Sequence, residues 1–179
     1  MLLFNWLIIA VLLVLLVSFV IGGVVAFRSF APWVPTRQRD LVQALALAEL
    51  QPGEVFYDLG CGDGRAVVLA AKKYRVKAVG LEISLPLYLI CEWRRLFNLN
   101  QSLTFKLKNI FKEDLSGADV VYFFGLPLNL RTNQLGDKLK QELKPGSRVV
   151  SYAFSLPGWT PTKVIRLAPS AKAIYLYKI

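Results

Sequence analysis

The sequence predicts an α/β protein in which a mainly parallel sheet carries helices on both faces and follows one long apolar helix. Three observations predict this architecture. Beyond residue 54, short runs of β-branched and aromatic residues alternate with segments whose apolar residues recur at helical spacing, as in parallel sheets with crossover helices. A glycine-rich stretch joins the first predicted strand to the first of these helices. The first 27 residues contain no Asp, Glu, Lys or Arg.

The apolar residues 2–27 are numerous enough to form a membrane-spanning helix. As a helix they would extend about 39 Å, whereas the hydrocarbon core of a bilayer is about 30 Å thick. A cleaved signal peptide would carry a basic residue before the apolar run, and a buried core helix is the other alternative. Arg28, Arg37 and Arg39 follow the run. By the positive-inside rule we expect residues 1–27 to be a single-pass anchor in the cell membrane with the folded domain in the cytoplasm. In a eukaryote we expect the mitochondrial inner membrane.

Residues 28–53 are predicted to form a linker and an amphipathic helix. The stretch APWVPT (31–36) contains two prolines, which favour extended backbone. Apolar residues at helical spacing predict a helix over residues 39–50, and Pro52-Gly53 ends it.

Residues 54–179 are predicted to form the folded domain. We expect parallel strands over 55–59, 76–81, 103–108, 119–124 and 148–154, with helices over 65–74, 86–96 and 130–143. Two short strands, 163–167 and 173–177, are predicted to close the domain as an antiparallel edge.

The charge and composition of the chain exclude several kinds of chemistry. The chain has 22 basic and 12 acidic residues, a net charge of +10, which suits an anionic membrane surface but would also attract nucleic acid. It contains no histidine, which excludes Ser-His-Asp triads and histidine-ligated zinc. Cys61 and Cys91 form neither a metal-ligand spacing nor a disulfide framework, so we expect no metal.

The stretch VFYDLGCGDGR (55–65) predicts a ligand site at the first strand-to-helix turn. Ligands of such sheets bind at the carboxyl ends of the strands, and glycine lets the main chain come close to them. The spacing G-x-G-x-G differs from the dinucleotide pattern G-x-G-x-x-G. Asp58 and Asp63 would repel a pyrophosphate but attract an ammonium or a sulfonium group. The turn therefore favours S-adenosylmethionine over a dinucleotide.

Glu82 ends the second predicted strand, 24 residues after Asp58. The comparable acid of dinucleotide folds lies about 20 residues beyond the turn and binds ribose hydroxyls. We therefore expect Glu82 to accept hydrogen bonds from both ribose hydroxyls of the cofactor. An exposed strand-end carboxylate is the alternative interpretation.

The motifs VFYDLGCGDGR and AVGLE resemble those of the class I, seven-strand methyltransferases over about residue 35 to the C-terminus. Further motifs are similar to a small subgroup of protein-lysine methyltransferases from archaea, bacteria and, with a membrane-targeting segment, mitochondria: WVPT (33–36), FGLP (124–127), ELKPGSRVVS (142–151) and FSLPGWTP (154–161). The resemblance implies a Rossmann-like seven-strand sheet and S-adenosylmethionine as methyl donor.

Carried over residue by residue, the resemblance implies a cofactor site of nine positions. The methionine portion would lie against the turn, the ribose against Glu82 and the adenine beside Asn109, where the family usually has Asp. The amide carbonyl of Asn can still accept a hydrogen bond from the adenine amino group. The predicted positions are Asp58, Gly60, Cys61, Gly62, Asp63, Gly64, Glu82, Asn109 and Ile110.

Aromatic residues near the predicted strand ends predict an apolar acceptor pocket. Such a pocket lowers the pKa of a lysine ammonium by desolvation, and aromatic faces attract the cation. The candidates that would contact the acceptor are Tyr122, Phe124 and Trp159, with Phe123, Tyr152 and Phe154 nearby. For any single one of them, packing in the core is the alternative interpretation.

The motif FGLP disfavours a nucleic-acid acceptor, because enzymes that methylate a nucleobase amino group commonly carry a polar acceptor side chain at this place. We therefore predict methyl transfer from S-adenosylmethionine to a lysine of a protein substrate, including membrane-associated proteins. The alternatives are a small-molecule or lipid acceptor, RNA as a less favoured acceptor, and a module without catalytic activity.

Overall fold

The computed structural model describes residues 2–28, 34–99, 101–124 and 134–179. The first helix, α1, covers Leu2–Arg28, and its side chains are described for residues 5–20. Within these described parts, no helix is both long and apolar enough to cross a membrane. The described residues therefore do not confirm the predicted transmembrane helix.

A seven-stranded sheet forms the centre of the domain, in the spatial order β3-β2-β1-β4-β5-β7-β6. Strands β1 to β5 are parallel to one another, and β7 runs antiparallel between β5 and β6. The predicted α/β sheet and its antiparallel closing pair are confirmed. The strands are β1 (Val55–Leu59), β2 (Lys77–Glu82), β3 (Leu103–Leu107), β4 (Val120–Phe123), β5 (Arg148–Tyr152), β6 (Lys163–Ile165) and β7 (Ile174–Lys178).

Helices cover both faces of the sheet because each carries one apolar side. On one face lie α2 (Gln38–Leu47), α3 (Arg65–Tyr74) and α4 (Leu85–Leu96); on the other lie α5 (Gln134–Glu142) and a 3₁₀ turn (Ile110–Lys112). Leu41 and Val67 are buried against the first face, and Leu139 against the second.

Several predicted boundaries differ from the structure for identifiable backbone reasons. The helix expected to reach residue 50 ends at Leu47, because Glu49 adopts a left-handed conformation with φ 52°. The strand expected to reach residue 154 ends at Tyr152, because Ala153 has φ 77°, outside the extended region. Residues 130–133 of the helix predicted over 130–143 lie outside the described residues.

The segment between α1 and β1 is fastened to the sheet by side-chain hydrogen bonds. Thr36 and Tyr122 share a hydrogen bond of 2.9 Å between their hydroxyl oxygens. The Tyr152 hydroxyl donates to Asp40 Oδ2 at 2.6 Å, and the Arg148 guanidinium donates to the carbonyl of Ala48 at 2.8 Å. The later part of the predicted linker is therefore packed beneath β4 and β5.

Candidate active site

The glycine turn after β1 leaves open space on one side and is tightly packed on the other. Gly60 has φ 82°, and a Cβ added there would meet nothing within 4 Å. Gly64 has φ 77°, and a Cβ added there would lie 2.7 Å from the Phe105 ring and 3.1 Å from Cys91 Sγ. The backbone at Gly60 is therefore accessible to a ligand, whereas Gly64 lets α3 begin close to the sheet.

Asp58 is a buried carboxylate without a counter-ion. It lies in β1 two residues before Gly60 and is only 3% exposed. Among the described residues, no hydrogen bond or ion pair reaches its carboxylate. Burial raises the pKa of Asp58 well above its usual value, and the nearby Glu82 and Asp63 carboxylates raise it further. A group in this environment favours a cationic ligand, because the ligand supplies the missing opposite charge.

Glu82 fixes the shape of the glycine turn. Its Oε2 accepts from the Gly62 backbone N–H at 2.9 Å, and its Oε1 accepts from the N–H groups of Ile83 at 2.9 Å and Ser84 at 2.8 Å. Burial raises the pKa of Glu82, although these three backbone bonds act in the opposite direction. A carboxylate offers about four lone-pair sites, and these three bonds leave about one, on Oε2. The predicted contact to both ribose hydroxyls therefore has room for one of them in this arrangement.

The structure gives Asp63 two arginine partners that the sequence analysis did not foresee. Arg65 Nη2 and Arg94 Nη2 each lie 2.8 Å from Asp63 Oδ2. Burial by itself raises the pKa of Asp63, but the two guanidinium groups hold it below its usual value. The carboxylate predicted to attract a cation is thus already neutralised. Arg94 lies 31 residues away on α4, and no local motif marks it.

Two cysteines connect the glycine turn to α4. Cys61 Sγ and Cys91 Sγ are 3.9 Å apart, and the Cys91 thiol donates to the Gly62 carbonyl at 3.1 Å. The hydrogen bond to Cys91, followed by burial, raises the pKa of the Cys61 thiol. Cys61 therefore packs between the glycine turn and α4 as a buried, protonated thiol.

The predicted adenine residues lie just beyond β3. Asn109 Oδ1 accepts from the Phe111 N–H at 2.9 Å and so caps the 3₁₀ turn, and Ile110 is buried. The Asn109 carbonyl has one further lone pair for the predicted adenine contact.

Strand register places an aromatic cluster beside the glycine turn. Leu59 pairs with Phe123, and Phe123 pairs with Ser151. Gly60, Phe124 and Tyr152 each follow one of these paired residues. They therefore lie side by side in one row at the carboxyl edge of the sheet.

The aromatic cluster consists of Phe124, Tyr152 and Phe154. The Phe124 and Tyr152 rings meet edge to face with centroids 4.9 Å apart, and the Phe124 and Phe154 centroids are 6.5 Å apart. A lysine lies on the cluster: Lys172 Nζ is 4.4 Å from the centroid of Phe124 and 5.6 Å from that of Tyr152. The sequence analysis did not single out Lys172, because only the pairing of β7 with β5 brings it to this edge.

The other two predicted acceptor residues lie elsewhere. Tyr122 is buried beneath the edge and bonded to Thr36, and burial raises the pKa of its hydroxyl. Trp159 packs on Tyr177 with centroids 5.5 Å apart, and Lys140 Nζ lies 5.2 Å from the centroid of the Trp159 ring. No ring contact joins Trp159 to the aromatic cluster among the described residues. Residues 125–127 of the FGLP motif lie outside those residues.

The fold and this edge of the sheet define a class of protein. Open backbone at Gly60 beside an unneutralised buried Asp58 suits a cationic ligand better than a phosphate. Together with the seven-stranded sheet, it identifies a class I methyltransferase that uses S-adenosylmethionine. The chain belongs to the ANTKMT methyltransferase domain family, which matches residues 58–163.

Relatives of known activity cover most of the chain. A protein-lysine N-methyltransferase of Saccharolobus islandicus is 38% identical over 159 residues, which are 83% of this chain and 93% of that protein. The adenine nucleotide translocase lysine N-methyltransferase of Mus musculus is 35% identical, and a human lysine N-methyltransferase named for a component of ATP synthase is 32% identical. The matches cover 79% and 74% of this chain but only 61% and 56% of those two proteins.

Solved structures share the fold. An RNA methyltransferase from Salinibacter ruber in complex with S-adenosyl-L-homocysteine superposes with a TM-score of 0.75 at 31% identity, covering 82% of this chain and 94% of that chain. A precorrin-6y C5,15-methyltransferase from Geobacter metallireducens, at 18% identity and a TM-score of 0.62, shows the fold alone.

Proposed function

We propose that this enzyme transfers methyl groups from S-adenosylmethionine to lysine side chains of a protein substrate. One observation carries the proposal: a lysine ammonium, that of Lys172, already lies on the rings of Phe124 and Tyr152 beside the glycine turn. The cluster thus accepts the functional group that the acceptor would present. The lysine N-methyltransferases named above as relatives support the same acceptor chemistry.

The residues around the pocket would bind and orient both partners. When bound, S-adenosylmethionine supplies an electrophilic methyl group on a sulfonium. Asp58 would face the cationic part of the cofactor, and the backbone at Gly60 would lie against it. The aromatic cluster would hold the acceptor amine in line and keep water away. Because desolvation favours the neutral amine, the cluster would also help to expose the lone pair that the transfer requires.

The connection between β5 and β6 leaves room for a protein acceptor. Residues 153–162 contain no helix, so no helix from this connection covers the carboxyl edge beside Tyr152. A protein loop carrying a lysine can therefore approach the aromatic cluster from that side.

The acceptor proposal is tested with labelled S-adenosylmethionine and membranes from cells that lack the gene. We expect the full-length enzyme to label protein, with methyl groups on lysine by mass spectrometry. Phe124→Ala should lower the rate of labelling at least about tenfold while cofactor affinity stays unchanged, because one cation–π contact and part of the apolar wall are lost. Tyr74→Ala is the matched control, because Tyr74 lies at the end of α3, outside the aromatic cluster, and the change also removes a cation–π contact, with Lys73. Lysines that stay unmodified under these conditions would refute the proposal.

RNA is the second candidate acceptor, because the Salinibacter relative is described as an RNA methyltransferase and the chain carries a charge of +10. Against it, an apolar Phe124 occupies the place where a base amino group would need a polar acceptor. Label recovered only in ribonuclease-sensitive material would select RNA.

We further propose that residues 2–27 anchor the enzyme in a membrane with the domain on the cytoplasmic side, or in the mitochondrial inner membrane in a eukaryote. Support comes from the absence of charged side chains in this segment. The side chains described for residues 5–20 are exposed on all sides of the helix and are apolar apart from Asn5 and Ser18. The full-length chain should stay with membranes after alkaline extraction. Val14→Asp with Val17→Asp should release it, because each central charge costs about 2.5–3.5 kcal/mol on insertion. Release of the unaltered chain would overturn the anchor.

A further inference from the structure

The outer side of α4 is an apolar surface that the rest of the described chain leaves uncovered. We call it the α4 face and define it by six side chains that are between 42% and 69% exposed: Leu85, Leu89, Ile90, Trp93, Leu96 and Phe97. The charged side chains beside this face are paired, Arg94 with Asp63 and Arg95 with Glu92. A contiguous apolar surface of this kind marks an interaction site.

Helical geometry makes the α4 face continuous. At about 3.6 residues per turn, the six side chains fall within roughly 140° of the helix circumference, and the buried Cys91 lies on the other side. The Trp93 and Phe97 rings meet at 66° with centroids 4.8 Å apart, so the aromatic part of the face is a single unit. Helix α1 contacts α4 but leaves these six side chains exposed.

Unpaired positive charge lies near the end of α4. Helices α3 and α4 both start at the carboxyl edge of the sheet and end at its amino edge, because the next strand begins there. Four exposed basic residues lie close together in the sequence at the end of α3 and the start of β2: Lys72, Lys73, Arg75 and Lys77. None of them takes part in an ion pair among the described residues. We call this group the basic corner; it lies in the same helical layer as the α4 face.

Charge and chemistry indicate what covers the α4 face. A second copy of the chain would bring another net charge of +10 and would be repelled, whereas an anionic lipid surface is attracted by each nearby Lys or Arg. Trp and Phe beside Leu and Ile, with cations at the border, are the side chains that helices lying in the headgroup region use. The adjoining helix α1 carries exposed apolar side chains as well.

We propose that the α4 face lies in the headgroup region of an anionic bilayer, with the basic corner on the lipid phosphates. This contact is separate from the proposed anchor in residues 2–27 and does not depend on the acceptor of the methyl group. It turns the α2–α3–α4 layer towards the membrane. A ligand would then reach the cofactor turn at the carboxyl edge by moving parallel to the bilayer. This edge would lie about one helix diameter, or 10 Å, from the bilayer surface.

Spin labels on the full-length chain test the proposal in vesicles of phosphatidylcholine and phosphatidylglycerol. One label replaces Leu89 (Leu89→Cys) at the centre of the α4 face. The matched control replaces Gln141 (Gln141→Cys), which is exposed on α5 on the opposite face of the sheet. The native Cys61 and Cys91 are buried, and the unaltered chain measures any label they take up. S-adenosylmethionine binding by calorimetry verifies that each variant is folded.

We expect the label at 89 to relax more with lipid-soluble oxygen than with a water-soluble nickel complex, and the label at 141 to show the reverse order. Leu96→Cys, on the same face, should behave like Leu89→Cys. Water exposure at positions 89 and 96 would overturn the proposal, as would a chain that fails to bind the vesicles. Dipolar broadening at 89 that disappears on dilution with unlabelled chain would show a second copy on the α4 face and would also overturn it. None of these measurements depends on methyltransferase activity. A failure of the membrane proposal can therefore be told apart from a failure of the proposed function.

Discussion

At the scale of single residues, Asp58 combines a cost to the fold with a proposed role in cofactor binding. Its carboxylate is buried without a partner, and its pKa is raised by burial and by neighbouring acids. A carboxyl group whose folded pKa lies above its unfolded value lowers stability once the pH exceeds the unfolded value, about 3.9 for Asp. At neutral pH the ligand-free enzyme therefore carries a destabilising group that a cation would neutralise.

The change Asp58→Asn should stabilise the ligand-free protein while abolishing cofactor binding. The amide keeps the shape of the side chain but removes the buried charge, so we expect the Tm to rise by a few degrees. Differential scanning calorimetry and titration with S-adenosylmethionine measure the two effects. Asp114→Asn is the control, because Asp114 is exposed and its carboxylate accepts a bond from the Ser116 N–H; it should not raise the Tm. A lower Tm for Asp58→Asn would contradict the assignment.

Cofactor binding should become stronger as the pH rises from acid to neutral. In the free enzyme the pKa values of Asp58 and Glu82 are both raised, whereas the cationic cofactor prefers the ionised carboxylates, so binding releases protons. Affinity should therefore increase with pH until the raised pKa values are passed. Calorimetry in two buffers with different heats of ionisation measures the released protons. Binding without proton release would show that both groups are already ionised in the free enzyme.

The change Lys172→Met should lower the KM for the protein acceptor. Methionine preserves most of the length of the side chain but removes the ammonium that occupies the Phe124 and Tyr152 rings. The lost contact corresponds to about 0.5–2 kcal/mol, so we expect the KM to fall about two- to thirtyfold with little change in kcat. Lys178→Met, an exposed lysine on β7, is the control. An unchanged or higher KM for Lys172→Met would show that Lys172 does not compete with the acceptor.

At the scale of elements, the glycine turn is held between β1, α3 and α4. Its shape depends on the backbone bonds that Glu82 accepts and on the close contact of Gly64 with Phe105 and Cys91. Because α4 supplies both Cys91 and Arg94 to this region, the glycine turn and the α4 face belong to one packed unit.

The change Gly64→Ala should destabilise the protein by about 1–3 kcal/mol. Alanine is strained at φ 77°, and its methyl group would lie 2.7 Å from the Phe105 ring. Gly117→Ala is the matched control, since nothing lies within 4 Å of a Cβ there and the φ of Gly117 is not left-handed. Denaturant unfolding of both variants measures the difference; equal stability would contradict the packing described for α3.

The elements that the sequence predicted well are those with a local signal. Alternation of strand and helix patterns predicted the sheet, and the spacing of Gly60 and Gly62 after Asp58 predicted a tight turn with open backbone at Gly60. The contacts it missed are long-range. The pairing of Asp63 with Arg94, the three backbone donors to Glu82 and the position of Trp159 away from Phe124 all depend on how helices and loops sit on the sheet. Residue spacing along the chain does not carry that information.

At the scale of the whole molecule, the proposed anchor, the proposed α4 contact and the aromatic cluster would together set the orientation of the enzyme. The hydrogen bonds of Thr36 and Asp40 with Tyr122 and Tyr152 join the segment after α1 to the strands that carry the proposed acceptor pocket. Attachment of α1 to a membrane would therefore also fix the position of the carboxyl edge of the sheet relative to that membrane.

The hydrogen bond that joins Thr36 to Tyr122 affects which substrates the enzyme can reach. Only seven residues, 29–35, separate the end of α1 from Thr36, and fully extended they span at most about 25 Å. If α1 is held in a bilayer, this short tether keeps the domain within that radius, which raises the local concentration of nearby targets and removes distant ones. Selection would then depend on how far a lysine protrudes from the membrane as much as on the residues that flank it.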